Sequence, residues 1–342
     1  MVSPPATPPP QPAPASAPGS HEPGAGFGAL LRRLWIPLAL GVLVVLGLAL
    51  SADPRALWRS LRGFDLRLLL PVLALSLLNY ALRFVRWEVY LRRLGVALPR
   101  GESLAVFLAG FLFSVTPGKA GELGKAWLVR ELGGGPALRI VPAVIAERVT
   151  DLFGVLLLIA GGALALPAGA GGPALAALLL GVAAAGLLLL AWRRGADLFF
   201  RALRRLRLPG PRVPHLTEIY DSLRGLMSPR LLALSVVLAV IAWGAEGVGF
   251  YLVVREYAPK AGLLLSLFNY TGSTVVGSLS MLPGGLGAAE GAMAALLHAQ
   301  GLDSADAGSA TLVIRGATLW FAVLLGLAAL PFLARRLRRR SA

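Results

Sequence analysis

The chain has 342 residues, is 56% hydrophobic, carries a formal net charge of +16 and contains no cysteine. So much apolar material in continuous runs indicates an integral membrane protein, and the missing cysteine excludes disulfides, thiol catalysis and cysteine metal sites. His21, His215 and His298 are too scattered for a metal centre, and the basic residues lie between and beyond apolar runs, which points to anionic lipid rather than nucleic acid.

Residues 1–28 are rich in proline and alanine, have little to bury and are expected to form a disordered tail. No basic n-region leads directly into an apolar run, so no secretory signal is read there. The remainder, residues 29–342, is expected to be one transmembrane domain. Arg32 and Arg33 precede a first apolar run, Leu34 to Leu50, long enough to span with its flanks. Between Asp53 and Asp65, Arg55, Trp58, Arg59 and Arg62 fall at amphipathic spacing, as in a helix lying on the membrane interface. A second span runs from Leu68 to about Tyr80 and ends in Arg83, Arg86 and Trp87. Arg92, Arg93 and Arg100 follow, a strong signal for the cytoplasmic side.

The segment Ser103 to Leu132 is apolar but breaks at Pro117-Gly118, then resumes through Gly121, Glu122 and Lys125. Proline removes an amide donor and glycine loosens the helix, so two half-helices with an unwound joint are expected. Spans follow at Ile140–Leu166 and Ala174–Trp192, joined by a short turn. The loop 193–229 carries seven arginines from Arg193 to Arg212, with Leu198, Phe199, Ala202, Leu203 and Leu206 at helical spacing, as in a basic helix on the cytoplasmic surface. After a span at Leu231–Val254, a second broken segment occupies Ala261 to Gln300, with its break at Pro283-Gly284-Gly285-Leu286-Gly287 ahead of Glu290. A last span, about Ala310–Leu333, ends in Arg335, Arg336, Arg338, Arg339 and Arg340. The expected architecture is therefore an all-α polytopic membrane protein with about six full spans and two broken re-entrant helical hairpins. Both termini are placed in the cytoplasm, at the inner membrane.

The two breaks share the pattern Pro-Gly-x-x-Gly with a glutamate shortly after. The following spans also match: Arg148-Val-Thr150 leads to Pro167, and Arg315-Gly-Ala-Thr318 leads to Pro331. The order span, broken hairpin, arginine-bearing span thus occurs twice, at about 68–166 and 231–333, and the charge placement makes the copies an inverted repeat. Paired broken helices of this kind point to a transporter site at mid-depth.

Glu122, Lys125, Glu147, Arg148, Asp151, Glu246, Glu290 and Arg315 fall within or beside apolar segments. A charge at the bilayer centre costs about 2.5–3.5 kcal/mol even on the lenient scale, so these groups must pair, meet water or bind a charged substrate. Arg148 with Asp151, and Glu122 with Lys125, sit at spacings that allow pairing within one turn or so. Arg315 has no acid within two turns; its partner must come from another segment, such as Glu246 or Glu290, or from a ligand. Guanidinium suits phosphate through its planar fork of donors, and a half-helix after either break presents free amides to an anion. Arg83 and Arg86 are placed at the cytoplasmic rim.

These features resemble the lysylphosphatidylglycerol synthase transmembrane region, a flippase-like integral membrane family, from roughly Leu34 to Leu333. The residues that carry the resemblance are Asn79 with Arg83 and Arg86-Trp87; Pro117-Gly118 with Gly121-Glu122; Glu147-Arg148 with Asp151; Pro283-Gly284-Gly285-Leu286-Gly287 with Glu290; and Arg315 with Thr318. The resemblance implies a protein that moves, or helps present, anionic or polyprenyl-linked lipids across the bilayer. Some members carry a soluble aminoacyl-transferase domain after the membrane region; this chain ends at Ala342 and is expected not to make lysyl-lipid itself. The preferred expectation is a lipid transporter without cofactor or metal, using the residues just named around the head group. The alternatives are a non-catalytic membrane partner of a lipid- or wall-modifying enzyme, and an intramembrane lipid-linked transferase with Glu122 or Glu290 as base. No nucleotide-binding loop is present, so direct ATP hydrolysis is not expected.

Overall fold

The computed structural model describes residues 53–113, 121–191 and 212–341, with isolated positions between 39 and 47. The N-terminal tail, most of the first apolar run, Pro117, Gly118 and the arginines from 193 to 207 lie outside the described residues. The described chain is all helix: α1 Pro54–Gly63, α2 Leu69–Arg93, α3 Arg100–Phe113, α4 Gly124–Glu131, α5 Ala137–Ala163, α6 Gly172–Ala191, α7 Arg212–Leu226, α8 Pro229–Tyr257, α9 Leu263–Leu279, α10 Ala288–Ala299, α11 Ser304–Arg315 and α12 Phe321–Ser341. Three segments, Leu66–Arg93, Pro229–Tyr257 and Ser304–Arg340, are long and apolar enough to cross a membrane. Helix α5 is 27 residues long but carries Glu147, Arg148 and Asp151 at mid-length. Exposed leucines on α2 (Leu70, Leu77, Leu78) and α6 (Leu178, Leu188) present the apolar exterior that hydrocarbon requires.

Local chemistry sets the helix ends. Asp53 caps α1 by accepting a hydrogen bond from the Arg55 amide at 3.0 Å, and Pro54 supplies a pre-set φ at the first helical position. Helix α1 exposes Trp58 and docks on α11, through buried Leu57 and a 2.6 Å hydrogen bond from Ser60 Oγ to Asp306 Oδ1. At the second break the backbone turns through Gly284, Gly285 and Gly287, with φ of +64°, +67° and +88°. Glu290 Oε2 then accepts the Gly287 amide at 2.7 Å, satisfying a donor at the start of α10. Helices α11 and α12 run on from one another through a π-helical turn at Gly316–Trp320, which sequence pattern did not indicate.

The packing is reciprocal. Helix α2 lies along α8, α3 packs on α12 as α9 packs on α5, and α4 packs on α5 as α10 packs on α11. The burial register also recurs at one constant spacing: Val72, Ser76, Asn79, Tyr80, Trp87 and Tyr90 of α2 are buried, and so are Ser235, Ala239, Ala242, Trp243, Phe250 and Val253 of α8. Close approach depends on glycine at two places. A Cβ on Gly162 would sit 2.6 Å from Leu264 O, between α5 and α9, and one on Gly154 would sit 2.8 Å from Ala239 Cβ, between α5 and α8.

Two features depart from the sequence reading. Part of the expected cytoplasmic loop is helix α7, which packs on α5 and buries Leu226 completely. The C-terminal arginines are more than a topology signal: Arg336 and Arg340 both pair with buried Glu102 at the start of α3, at 3.6 and 3.3 Å, and Arg340 also donates to Leu132 O.

Candidate functional site

The ionisable residues of the apolar segments converge where α2, α5, α8 and both broken segments meet. In the first half, Asp151 of α5 is the hub. Its Oδ1 lies 2.6 Å from Arg86 Nη2 and its Oδ2 lies 3.0 Å from Arg148 Nη2, while Arg83 Nη2 stands off at 3.9 Å. Arg86 also donates to Thr150 Oγ1 at 3.1 Å, and Thr150 donates back to the Ala146 carbonyl at 2.8 Å. Arg148 reaches across to Glu122 with its Nε 3.2 Å from Oε2. Lys125 turns the other way and donates to Glu147, with its ammonium 4.7 Å from the centroid of the Trp87 ring.

In the second half, Arg315 Nε donates to Glu290 Oε1 at 2.5 Å, and its Nη2 donates to the Gly284 carbonyl at 3.2 Å. One guanidinium therefore ties α11 both to the glutamate after the break and to the unwound backbone of the break itself. The π turn begins at the next residue, and Tyr80 OH donates to the Thr318 carbonyl at 2.7 Å. A π turn offsets the backbone hydrogen-bond ladder, so an outside donor at this carbonyl fits the local geometry. Across from it, Tyr270 OH donates to Glu246 Oε2 at 2.6 Å.

Two sequence expectations need correction. Glu122 and Lys125 do not pair with each other; each takes a partner on α5, Arg148 and Glu147 respectively. Helix α4 packs on α5, so that helix supplies partners nearer than the next turn does. Arg86 does not offer a free guanidinium at a surface: it is 1% exposed and locked to Asp151, because α2 is packed against α5 and α8. For Arg315 the structure selects Glu290 from the alternatives.

A cavity of about 100 Å³ opens in the middle of this network. Arg83, Arg148 and Arg315 line it together with Glu122, Glu246 and the backbone of Gly284 and Gly285. Tyr80, Phe111, Trp243, Tyr270 and Thr318 complete the wall. Gly121, Glu147, Asp151, Gly287 and Glu290 are not part of the lining; Glu147, Asp151 and Glu290 stand behind it, holding Lys125, the arginines of the first half, and Arg315. Pro283 belongs to the break beside it. The aromatic wall was not foreseen. Only an alignment of α2 on α8, which sets Tyr80 against Trp243 and Arg83 against Glu246, would have marked it.

A model of the family described as the lysylphosphatidylglycerol synthase TM region matches residues 35–326, which contain every residue of this network. The chain belongs to that family. Among similar proteins of this kind are two UPF0104 membrane proteins from Methanothermobacter thermautotrophicus. One is 23% identical over 87% of this chain and 94% of its own length, the other 26% identical over 84% and 90%. A UPF0104 membrane protein from Pyrococcus horikoshii is 23% identical over 85% of this chain and 95% of its own length. The lysylphosphatidylglycerol synthase TM region thus accounts for nearly all of the described helices, and the ion-paired cavity lies at its centre.

Proposed function

We propose that this protein moves an anionic, phosphate-bearing lipid across the cytoplasmic membrane. The observation that carries this reading is the cavity: three arginines and two glutamates line a partly open space in an otherwise apolar helical body, beside a break in the helix. Burying so many charges at membrane depth is costly, and such groups characteristically mark substrate pathways. Guanidinium groups match phosphate by geometry as well as charge. The reciprocal packing of the two halves supports an inverted repeat with the site between them, the arrangement suited to alternating access. The pairing of Glu102, at the start of α3, with the arginines ending α12 brings two strongly basic stretches to one face, which supports placing both on the cytoplasmic side. We read the chain as a transporter rather than an enzyme, with membrane lipid as its partner.

Lipid scrambling in proteoliposomes tests this, comparing the wild type with Arg315→Ala for neutral, anionic and polyprenyl-phosphate lipids. Movement of a phosphate-bearing class by the wild type, lost in Arg315→Ala protein whose far-ultraviolet circular dichroism and monodisperse elution show it to be folded, is the expected result. A folded wild type that moves no lipid of any class refutes transport and leaves the reading of a membrane partner for a separate enzyme.

A further inference from the structure

We infer that Arg83 is the residue that receives the anion, and that the cavity is matched to a singly charged phosphodiester. The inference rests on the lipid-transport reading and sharpens it. Of the three arginines lining the cavity, two are already committed. Arg315 is held by Glu290 and the Gly284 carbonyl, and Arg148 lies between Glu122 and Asp151. Arg83 differs from both. Among the described residues its nearest carboxylate is Asp151 at 3.9 Å, and that carboxylate is already engaged by Arg86 at 2.6 Å and Arg148 at 3.0 Å. The Arg83 Nε is buried without a hydrogen-bond partner; Arg148 Nε and Nη2 also lack hydrogen-bond geometry, but they lie within 3.2 and 3.0 Å of the Glu122 and Asp151 carboxylates.

What holds Arg83 is aromatic. Its guanidinium carbon lies 5.7 Å from the Phe111 ring centroid and 5.9 Å from that of Trp243, and all three residues line the cavity. Contacts with two rings fix the guanidinium without using up its N–H donors, which stay available for an acceptor. Charge balance sets the limit: Arg83, Arg86, Lys125, Arg148 and Arg315 face Asp151, Glu122, Glu147, Glu246 and Glu290, so the buried network is neutral and a singly charged ligand unbalances it less than a dianion does. Glu246, hydrogen-bonded by Tyr270, lines the same cavity one turn along α8 from Trp243. A dianion in the cavity would be repelled by that carboxylate, whereas a phosphodiester carries the single charge that Arg83 can balance.

The test is direct binding to the full chain in detergent, by isothermal titration with three short-chain lipids. These are dihexanoyl phosphatidylmethanol (a diester), dihexanoyl phosphatidic acid (a monoester) and dihexanoylglycerol (no phosphate). Saturable binding is expected for the diester above the monoester, with none for the glycerol. Arg83→Lys keeps the charge but loses the fork, and should weaken diester binding at least tenfold at an unchanged unfolding temperature. Trp243→Leu, which removes the ring, should weaken it severalfold, and Trp243→Phe less. Wild-type-like binding by Arg83→Lys, a preference for the monoester, or no binding by the wild type overturns the inference. The two readings fail separately. Binding without movement in proteoliposomes keeps the site and removes transport; movement undiminished in Arg83→Lys keeps transport and removes the site.

Discussion

Replacing Lys125 with methionine while Glu147 stays in place should destabilise the protein severely, and replacing both together should not. Lys125 and Glu147 are 3% and 0% exposed, so the pair is desolvated, and one Glu147 oxygen has no hydrogen bond at all. Removing one partner of a buried ion pair costs about 3–5 kcal/mol, whereas replacing both with well-packed apolar groups is often neutral or stabilising. The protein itself contains the apolar solution. Matching Glu122 with Glu290 and Arg148 with Arg315 sets Lys125 against Met293 and Glu147 against Ile314, and both of those residues are 0% exposed in the main core. The lysine stem runs over Gly110, where a Cβ would approach its Cδ to 2.7 Å, and an unbranched methionine follows the same course. Equilibrium unfolding in mixed micelles should show Lys125→Met losing about 3–5 kcal/mol and the pair Lys125→Met with Glu147→Ile regaining most of it. A double variant no more stable than the single one would refute the reasoning, because the ion pair would then be contributing more than it costs to bury.

Further substitutions probe the second half. Gly285→Ala places a Cβ 2.9 Å from the Gly277 backbone at a φ of +67°, and the left-handed conformation alone costs about 1–2 kcal/mol, so a clear fall in melting temperature is expected. Gly272→Ala, with nothing within 4 Å of its Cβ, should instead be neutral or stabilising by up to about 1 kcal/mol. Tyr80→Phe removes the donor to the Thr318 carbonyl at a cost of about 1 kcal/mol, and should speed hydrogen–deuterium exchange in the π turn at Gly316–Trp320. Arg315→Ala leaves the Glu290 carboxylate buried without its cation, a loss of about 3–5 kcal/mol in equilibrium unfolding, and Arg315→Ala combined with Glu290→Leu should recover part of it.

The sequence by itself determined the class of the molecule and the location of its polar centre. Long apolar runs dictate membrane helices, because unsatisfied backbone groups are too costly in hydrocarbon for other open structures. The glycine-rich break from Pro283 to Gly287 and the isolated charge of Arg315 were also legible, since helix breakers and charges in apolar runs act at their own positions. Tertiary structure alone decided the pairings. Whether Lys125 meets Glu122 or Glu147, and whether Arg86 faces a surface or Asp151, depends on which helix packs over each side chain, and no local pattern encodes that. The aromatic wall of Tyr80, Trp243 and Tyr270 comes from three different helices. The π turn after Arg315 lies where α11 and α12 meet contacts from α2. Helix periodicity and capping are set by residues within a turn or two of each other, whereas ion-pair choice and cavity lining are set by side chains dozens to hundreds of positions apart. Only the packed helices bring those groups within hydrogen-bonding range.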